Sequence, residues 1–185
     1  MRASKLINSI EIHAASDVPL RNIRLPELLA IIELKRGNSM RALELLAPVK
    51  RYEEGWSDGY WAAYLRGQAY LVSRQGQDAV REFQKILDHR GVVLNSLFGA
   101  LAHVGLARAY ILQGDAAKAK AAYQDFLTLW KDADPDIPIL KGVTAEHAKL
   151  QWSVKSLGFE SPRAYHLFRS LRKKHRRTSP VILHL

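Results

Sequence analysis

The stretch Gly105-Leu-Ala-Arg-Ala-Tyr-Ile-Leu-Gln-Gly-Asp115, continuing to Lys118-Ala-Lys-Ala-Ala-Tyr123, decides the fold. It reads as an apolar helical run, a glycine turn and an alanine-rich helical run, with bulky residues three and four positions after small ones. The same order occurs twice upstream. Leu28-Leu-Ala-Ile-Ile-Glu-Leu-Lys-Arg-Gly-Asn-Ser-Met-Arg-Ala-Leu-Glu-Leu-Leu46 turns at Gly37, and Tyr64-Leu-Arg-Gly-Gln-Ala-Tyr-Leu passes through Gly76 to Asp78-Ala-Val-Arg-Glu-Phe83. With Ala42, Ala79 and Ala119 as equivalents, the steps are 37 and 40 residues. The extra length falls in turn-rich segments around residues 53–59 and 88–95.

Each equivalent position has a packing reason. Ala30, Gly67 and Ala107 on the first helices, and Ala42, Ala79 and Ala119 on the second, let two helices approach closely. Tyr70 and Tyr110 follow the small residue by three, and Leu46, Phe83 and Tyr123 follow the alanine by four, which places them on one helical face. Two positions depart from the pattern. Arg66 stands where a leucine is usual, and Arg74 replaces the first turn glycine, so the repeat packing is least certain there.

The pattern resembles tetratricopeptide repeats over about residues 24–131, whose unit is roughly 34 residues, and the segment to 152 resembles their capping helix. Within it, Glu82-Phe-Gln-Lys-Ile-Leu-Asp-His-Arg-Gly-Val-Val93 and Ala122-Tyr-Gln-Asp-Phe-Leu-Thr-Leu-Trp-Lys-Asp-Ala-Asp-Pro-Asp-Ile-Pro138 are similar to the carboxy-terminal repeat region of bacterial eukaryotic-like serine/threonine kinases. The resemblance implies an all-α fold of antiparallel helix-pair repeats stacked in a short right-handed solenoid. Three parts follow: residues 1–22, an amino-terminal helix or incomplete repeat; 23–152, three repeats and a capping helix Ile139–Trp152 weakened by Gly142; and 153–185, a basic tail. Leu6, Ile7 and Ile10 allow a helix in the first part, and a frayed terminus reads equally well.

Composition supports a folded chain: 185 residues, 48% hydrophobic and 25% charged, are enough to bury a core. The absence of cysteine leaves no disulfide, thiolate ligand or cysteine nucleophile, and a reducing cytoplasm is the expected compartment. No apolar run approaches the roughly 20 residues of a membrane-spanning helix, and Asn8, Ser9 and Glu11 interrupt any signal-like stretch.

The residues required for catalysis are not assembled. Kinase chemistry needs a phosphate-covering glycine loop, a phosphate-pairing lysine and two aspartates. His89-Arg90-Gly91 and Asp125-Phe126-Leu127 echo the kinase signatures faintly, but the first lacks its aspartate and both fall inside repeats. The seven histidines include no pair at the i, i+4 spacing of a helical zinc motif, and no Gly-x-Ser-x-Gly elbow occurs. The expectation is a non-enzyme that needs no cofactor or metal and that holds a protein or peptide partner.

The repeat family grips partners on the concave surface lined by its first helices. Its lining positions map here onto Arg24 and Glu27, Trp61, Tyr64 and Gln68, and Arg108. Trp61 and Tyr64 read equally as packing between repeats. A carboxylate clamp for an acidic peptide tail needs Lys and Asn where Tyr64 and Gln68 stand, which disfavours that ligand. Three repeats are few, and this leaves self-association through an uncapped end open.

The net charge of +10 is concentrated at the carboxy terminus: residues 153–185 hold eight Lys/Arg against one Glu. Ser161, Pro162 and the apolar positions Ala164, Leu167, Phe168 and Leu171 suit an amphipathic helix. Its face and the following run supply Arg169, Arg172, Lys173, Lys174, Arg176 and Arg177 as candidate phosphate contacts, to nucleic acid or an acidic surface. A solvated charged end is the alternative.

Overall fold

The computed structural model describes residues 17–53, 60–93 and 97–156, and every element in them is helical. After a π-helical turn at Leu20–Arg24 come α1 (Leu25–Lys35) and α2 (Ser39–Leu46), which ends in a 3-10 turn, Ala47–Tyr52. Next are α3 (Tyr60–Val72), α4 (Gly76–Asp88) and the single turn α5 (Arg90–Val93). The last are α6 (Leu97–Gln113), α7 (Ala116–Leu129) and α8 (Pro138–Ser156). The backbone is helical from residue 18 to 35.

The repeat recurs in the backbone hydrogen bonds. At the end of α1, Asn38 N–H donates to Glu33 C=O at 2.8 Å and Gly37 to Leu34 at 3.0 Å. At the end of α3 the same two bonds join Gln75 to Tyr70 and Arg74 to Leu71, at 2.8 and 3.1 Å. At the end of α6 they join Asp115 to Tyr110 and Gly114 to Ile111, at 3.0 and 3.2 Å. This is the Schellman closure, which satisfies carbonyls that a helix end leaves orphaned and places one residue in the left-handed region. That residue is Gly37 (φ 82°), Arg74 (φ 61°) and Gly114 (φ 87°) in turn. The second turn is therefore made by Arg74, and Gly76 instead opens α4. A Cβ on Gly76 would lie 3.0 Å from the Ala109 carbonyl oxygen, so this glycine serves the approach of α4 to α6.

Helices pack as consecutive pairs, α1 with α2, α3 with α4 and α6 with α7. Each second helix also packs on the first helix of the next pair, the first helices lie side by side, and α8 packs on α7. The molecule is thus an all-α helical-repeat stack. The alanines expected to allow close approach, Ala30, Ala42, Ala79, Ala107 and Ala119, are all fully buried, as are Leu46, Phe83 and Tyr123. Tyr70 and Tyr110 are half-buried.

Two apolar cores form, with α3 between them. Ala62, Leu65 and Ala69 face the first pair, whereas Tyr60, Ala63 and Tyr64 face the later pairs. Arg66, where the repeat pattern left the packing least certain, is buried, and it ion-pairs with Glu53 and, at 2.7 Å, with Glu82. Nor does Gly142 interrupt the last helix, which runs through it and buries Val143.

Candidate functional site

Of the six residues mapped from the repeat resemblance, Glu27 lies on α1, Trp61, Tyr64 and Gln68 on α3, Arg108 on α6, and Arg24 ends the π-helical turn before α1. The structure separates them into three clusters. In the first, Arg24 Nη1 donates to Glu27 Oε2 at 3.2 Å, with Glu27 buried and Arg24 about one-third exposed.

The second cluster is aromatic. Trp61 and Tyr64 lie one helical turn apart on α3 with rings nearly parallel and centroids 5.6 Å apart. Phe98, from the first turn of α6, brings its ring to 4.6 Å from Trp61 and 5.9 Å from Tyr64. Tyr64 also meets Phe83 edge-on at 5.8 Å. Tyr64 and Gln68 are buried, leaving Trp61 and Phe98, both half-buried, as the part of the cluster at the surface. Burial raises the Tyr64 hydroxyl above its ordinary pKa, with the Arg108 charge and the Gln68 side chain acting in the opposite direction.

In the third cluster Arg108 makes a two-pronged bond to Glu146 on α8, Nε at 3.0 Å and Nη2 at 2.8 Å. The Tyr123 hydroxyl donates to the same carboxylate at 2.6 Å. Burial alone would lower the Arg108 pKa, but the Glu146 contacts outweigh it and the net shift is upward. Burial and the Glu146 charge hold the Tyr123 hydroxyl well above its ordinary range. Charge-assisted, bidentate pairs of this kind fix geometry, and here the pair ties α6 to α8. Both arginines of the face thus have carboxylate partners within the chain, and its least compensated feature is aromatic.

Phe98 and Glu146 were not legible as members of this face. Phe98 falls outside the quoted repeat motifs, and Glu146 lies 38 positions from Arg108. The six basic candidates, Arg169, Arg172, Lys173, Lys174, Arg176 and Arg177, lie outside the described residues, as does the proposed helix beginning at Ser161.

Among the described residues no group of three or more His, Asp or Glu side chains could hold a metal ion, and no helix is long and apolar enough to cross a membrane. Of the two kinase-like triplets, Asp125-Phe126-Leu127 lies within α7, and His89-Arg90-Gly91 begins in the turn between α4 and α5. His89 stacks on Tyr60 with centroids 5.0 Å apart, Phe126 is buried in the core, and Asp125 is exposed. No protein-family model, curated protein or solved structure matches this chain.

Proposed function

We propose that this chain is a protein-interaction scaffold of the tetratricopeptide type that holds a peptide or helix of a partner on its first-helix face and carries out no turnover. The observation that carries the reading is the half-buried Trp61–Phe98 pair on that face, backed by Tyr64. Rigid aromatic groups with one face exposed offer contact area at small entropic cost, and such residues dominate binding energy at interfaces. Because Arg24 and Arg108 are already paired, the partner is gripped chiefly by apolar contact and not by a carboxylate clamp. The similarity of residues 82–93 and 122–138 to kinase carboxy-terminal repeats supports a relative of a kinase regulatory region, acting in the cytoplasm.

A second reading, binding of nucleic acid or an acidic surface, is favoured by the excess of basic residues after residue 152. Affinity capture from a nuclease-treated lysate separates the two, using the full chain, a Trp61→Ala/Phe98→Ala variant, and a variant with Arg172, Lys173, Lys174, Arg176 and Arg177 changed to Gln. The scaffold reading expects one set of captured proteins that the aromatic variant loses and the tail variant keeps. Capture lost with the tail charges or with nuclease, and indifferent to the aromatic substitutions, would establish the second reading instead.

A further inference from the structure

On the side of the second helices, a cleft of about 430 Å³ opens between α4, α6 and α7. Its floor is apolar: Leu106 and Ala122 are buried there and Leu87 is half-buried. Its two ends differ in charge. At one end His103 Nδ1 stands 3.6 Å from Asp125 Oδ2, and Asp88 lines the same cleft from the end of α4. At the other end Lys118 lies over the Tyr110 ring at 5.6 Å and pairs with Asp115 at 3.1 Å.

The two acidic residues stand out against the rest of the chain. Helix carboxylates elsewhere among the described residues sit beside an arginine of the same molecule: Glu27, Glu33, Glu44, Asp78, Glu82 and Glu146 all do. Asp88 and Asp125 do not. Among the described residues, Asp88 accepts from the Gln84 amide, at 2.9 Å, and Asp125 pairs with the histidine. Two carboxylates without a lysine or arginine, converging on one cleft with an apolar floor, complement a cation attached to an aliphatic stem or neighbour.

We propose that this cleft is a second docking site, which takes a partner segment that sets an arginine or lysine against Asp88 and Asp125 and an adjacent aliphatic side chain on the Leu87, Leu106 and Ala122 floor. It is separate from the aromatic face, and neither site depends on the other. A helix-groove geometry with apolar anchors and a charge at one end is a recurring mode of peptide recognition.

The test is an NMR titration of the isotopically labelled full chain with the blocked peptide acetyl-Leu-Arg-Leu-amide, using acetyl-Leu-citrulline-Leu-amide as the neutral control. Saturable shifts are expected at the backbone amides of Leu87, Ala121 and Ala122. The dissociation constant should rise about fivefold or more with citrulline and in an Asp88→Asn/Asp125→Asn variant, since each exposed charge contact is modest. A Trp61→Ala variant should bind the peptide as the parent does, so failure of the aromatic reading leaves this result intact. Absence of saturable shifts, shifts confined to the Trp61 and Phe98 face, or binding unchanged by the two substitutions overturns the proposal. So does a chain with Arg172, Lys173, Lys174, Arg176 and Arg177 changed to Gln whose cleft signals already differ from the parent's before peptide is added. That result would make the cleft's occupant the chain's own tail.

Discussion

The joint between the first and second helix pairs has an ionic centre, whereas the joint between the second and third pairs is a phenyl ring pressed between glycines. In the first, Arg66 of α3 contacts Glu53, beyond the end of α2, and Glu82 of α4, while Lys85 of α4 reaches Glu53 at 2.5 Å. In the second, Phe83 of α4 is fully buried, and Cβ atoms built on Gly67 of α3 and Gly105 of α6 would stand 2.6 and 2.5 Å from its ring. One joint is therefore sensitive to charge and the other to volume. The contrast also bears on what each joint specifies, since an ion cluster fixes geometry without adding much net stability, whereas close apolar packing stabilises directly.

The largest effect should come from removing the ring. Phe83→Ala deletes a fully buried aromatic group that three helices share, and a loss of about 3–5 kcal/mol is expected in urea unfolding monitored by circular dichroism. A loss below about 1 kcal/mol would mean that the joint collapses around the gap, and the contrast with the ionic joint would fail.

Arg66→Leu should cost about 2–3 kcal/mol, because it removes the common partner of the buried Glu53 and the half-buried Glu82, although Glu53 keeps its Lys85 contact. Burial acts to lower the Arg66 pKa, but the two carboxylates outweigh it and the net shift is upward, so the guanidinium stays charged. Restoring leucine, the usual residue of the repeat, is thus destabilising by itself. Combining Arg66→Leu with Glu53→Gln and Glu82→Gln should recover most of the loss. If the triple variant is no more stable than the single one, the cluster contributes through packing and not through charge.

These joints were unequally legible in the sequence. The apolar joint was readable because Gly67, Ala79 and Phe83 lie at helical spacing within one repeat, and the repeat itself is visible in three copies. The ionic joint spans 32 positions between Glu53 and Lys85, and no local periodicity links residues so far apart. What the sequence did mark was the anomaly, Arg66 in a leucine position, and Arg74 in a glycine position. The packing read as least certain at both; one is a buried ion pair and the other a left-handed turn. The aromatic face was legible in part. Trp61 and Tyr64 share a helix, but Phe98 joins them only through the pairing of α3 with α6.

Volume sensitivity can be isolated by one substitution made at two glycines. Gly105→Ala and Gly142→Ala both gain helix propensity worth about 1 kcal/mol. At Gly105 the new methyl group meets the confined Phe83 ring, and overpacking of about 1–3 kcal/mol should make the variant less stable than the parent. At Gly142 nothing lies within 4 Å, so the gain should appear undiminished. Opposite signs from one chemical change would locate the tight joint, while equal signs would remove it.

Smaller effects belong to the turns that precede the second helices. Asp115 caps α7 by accepting from the Lys118 N–H at 3.0 Å, whereas Asn38 and Gln75 make no such bond at α2 and α4. Asp115→Ala should therefore cost about 1 kcal/mol. The Lys118 N–H bond holds the Asp115 pKa below its ordinary value of 3.8. Its contribution is present above that value and is lost as the pH falls through the lower folded-state value, so parent and variant should converge in acid.

Arg74 is where the second repeat departs most plainly from the other two. Its φ of 61° occupies a region that costs a residue bearing a Cβ about 1 kcal/mol or more, and Gly37 and Gly114 meet the same geometry freely. The backbone bonds of the three turns agree to within 0.2 Å, so the second turn adopts the repeat geometry despite its residue. Arg74→Gly should relieve the strain, but a glycine also loosens the unfolded chain, which offsets part of the gain. A net stabilisation of about 0.5 kcal/mol, a rise of roughly 1–2 °C in melting temperature, is the expected result. A fall in melting temperature would show that the exposed arginine makes a compensating contribution, and that the second repeat is held by more than its two joints.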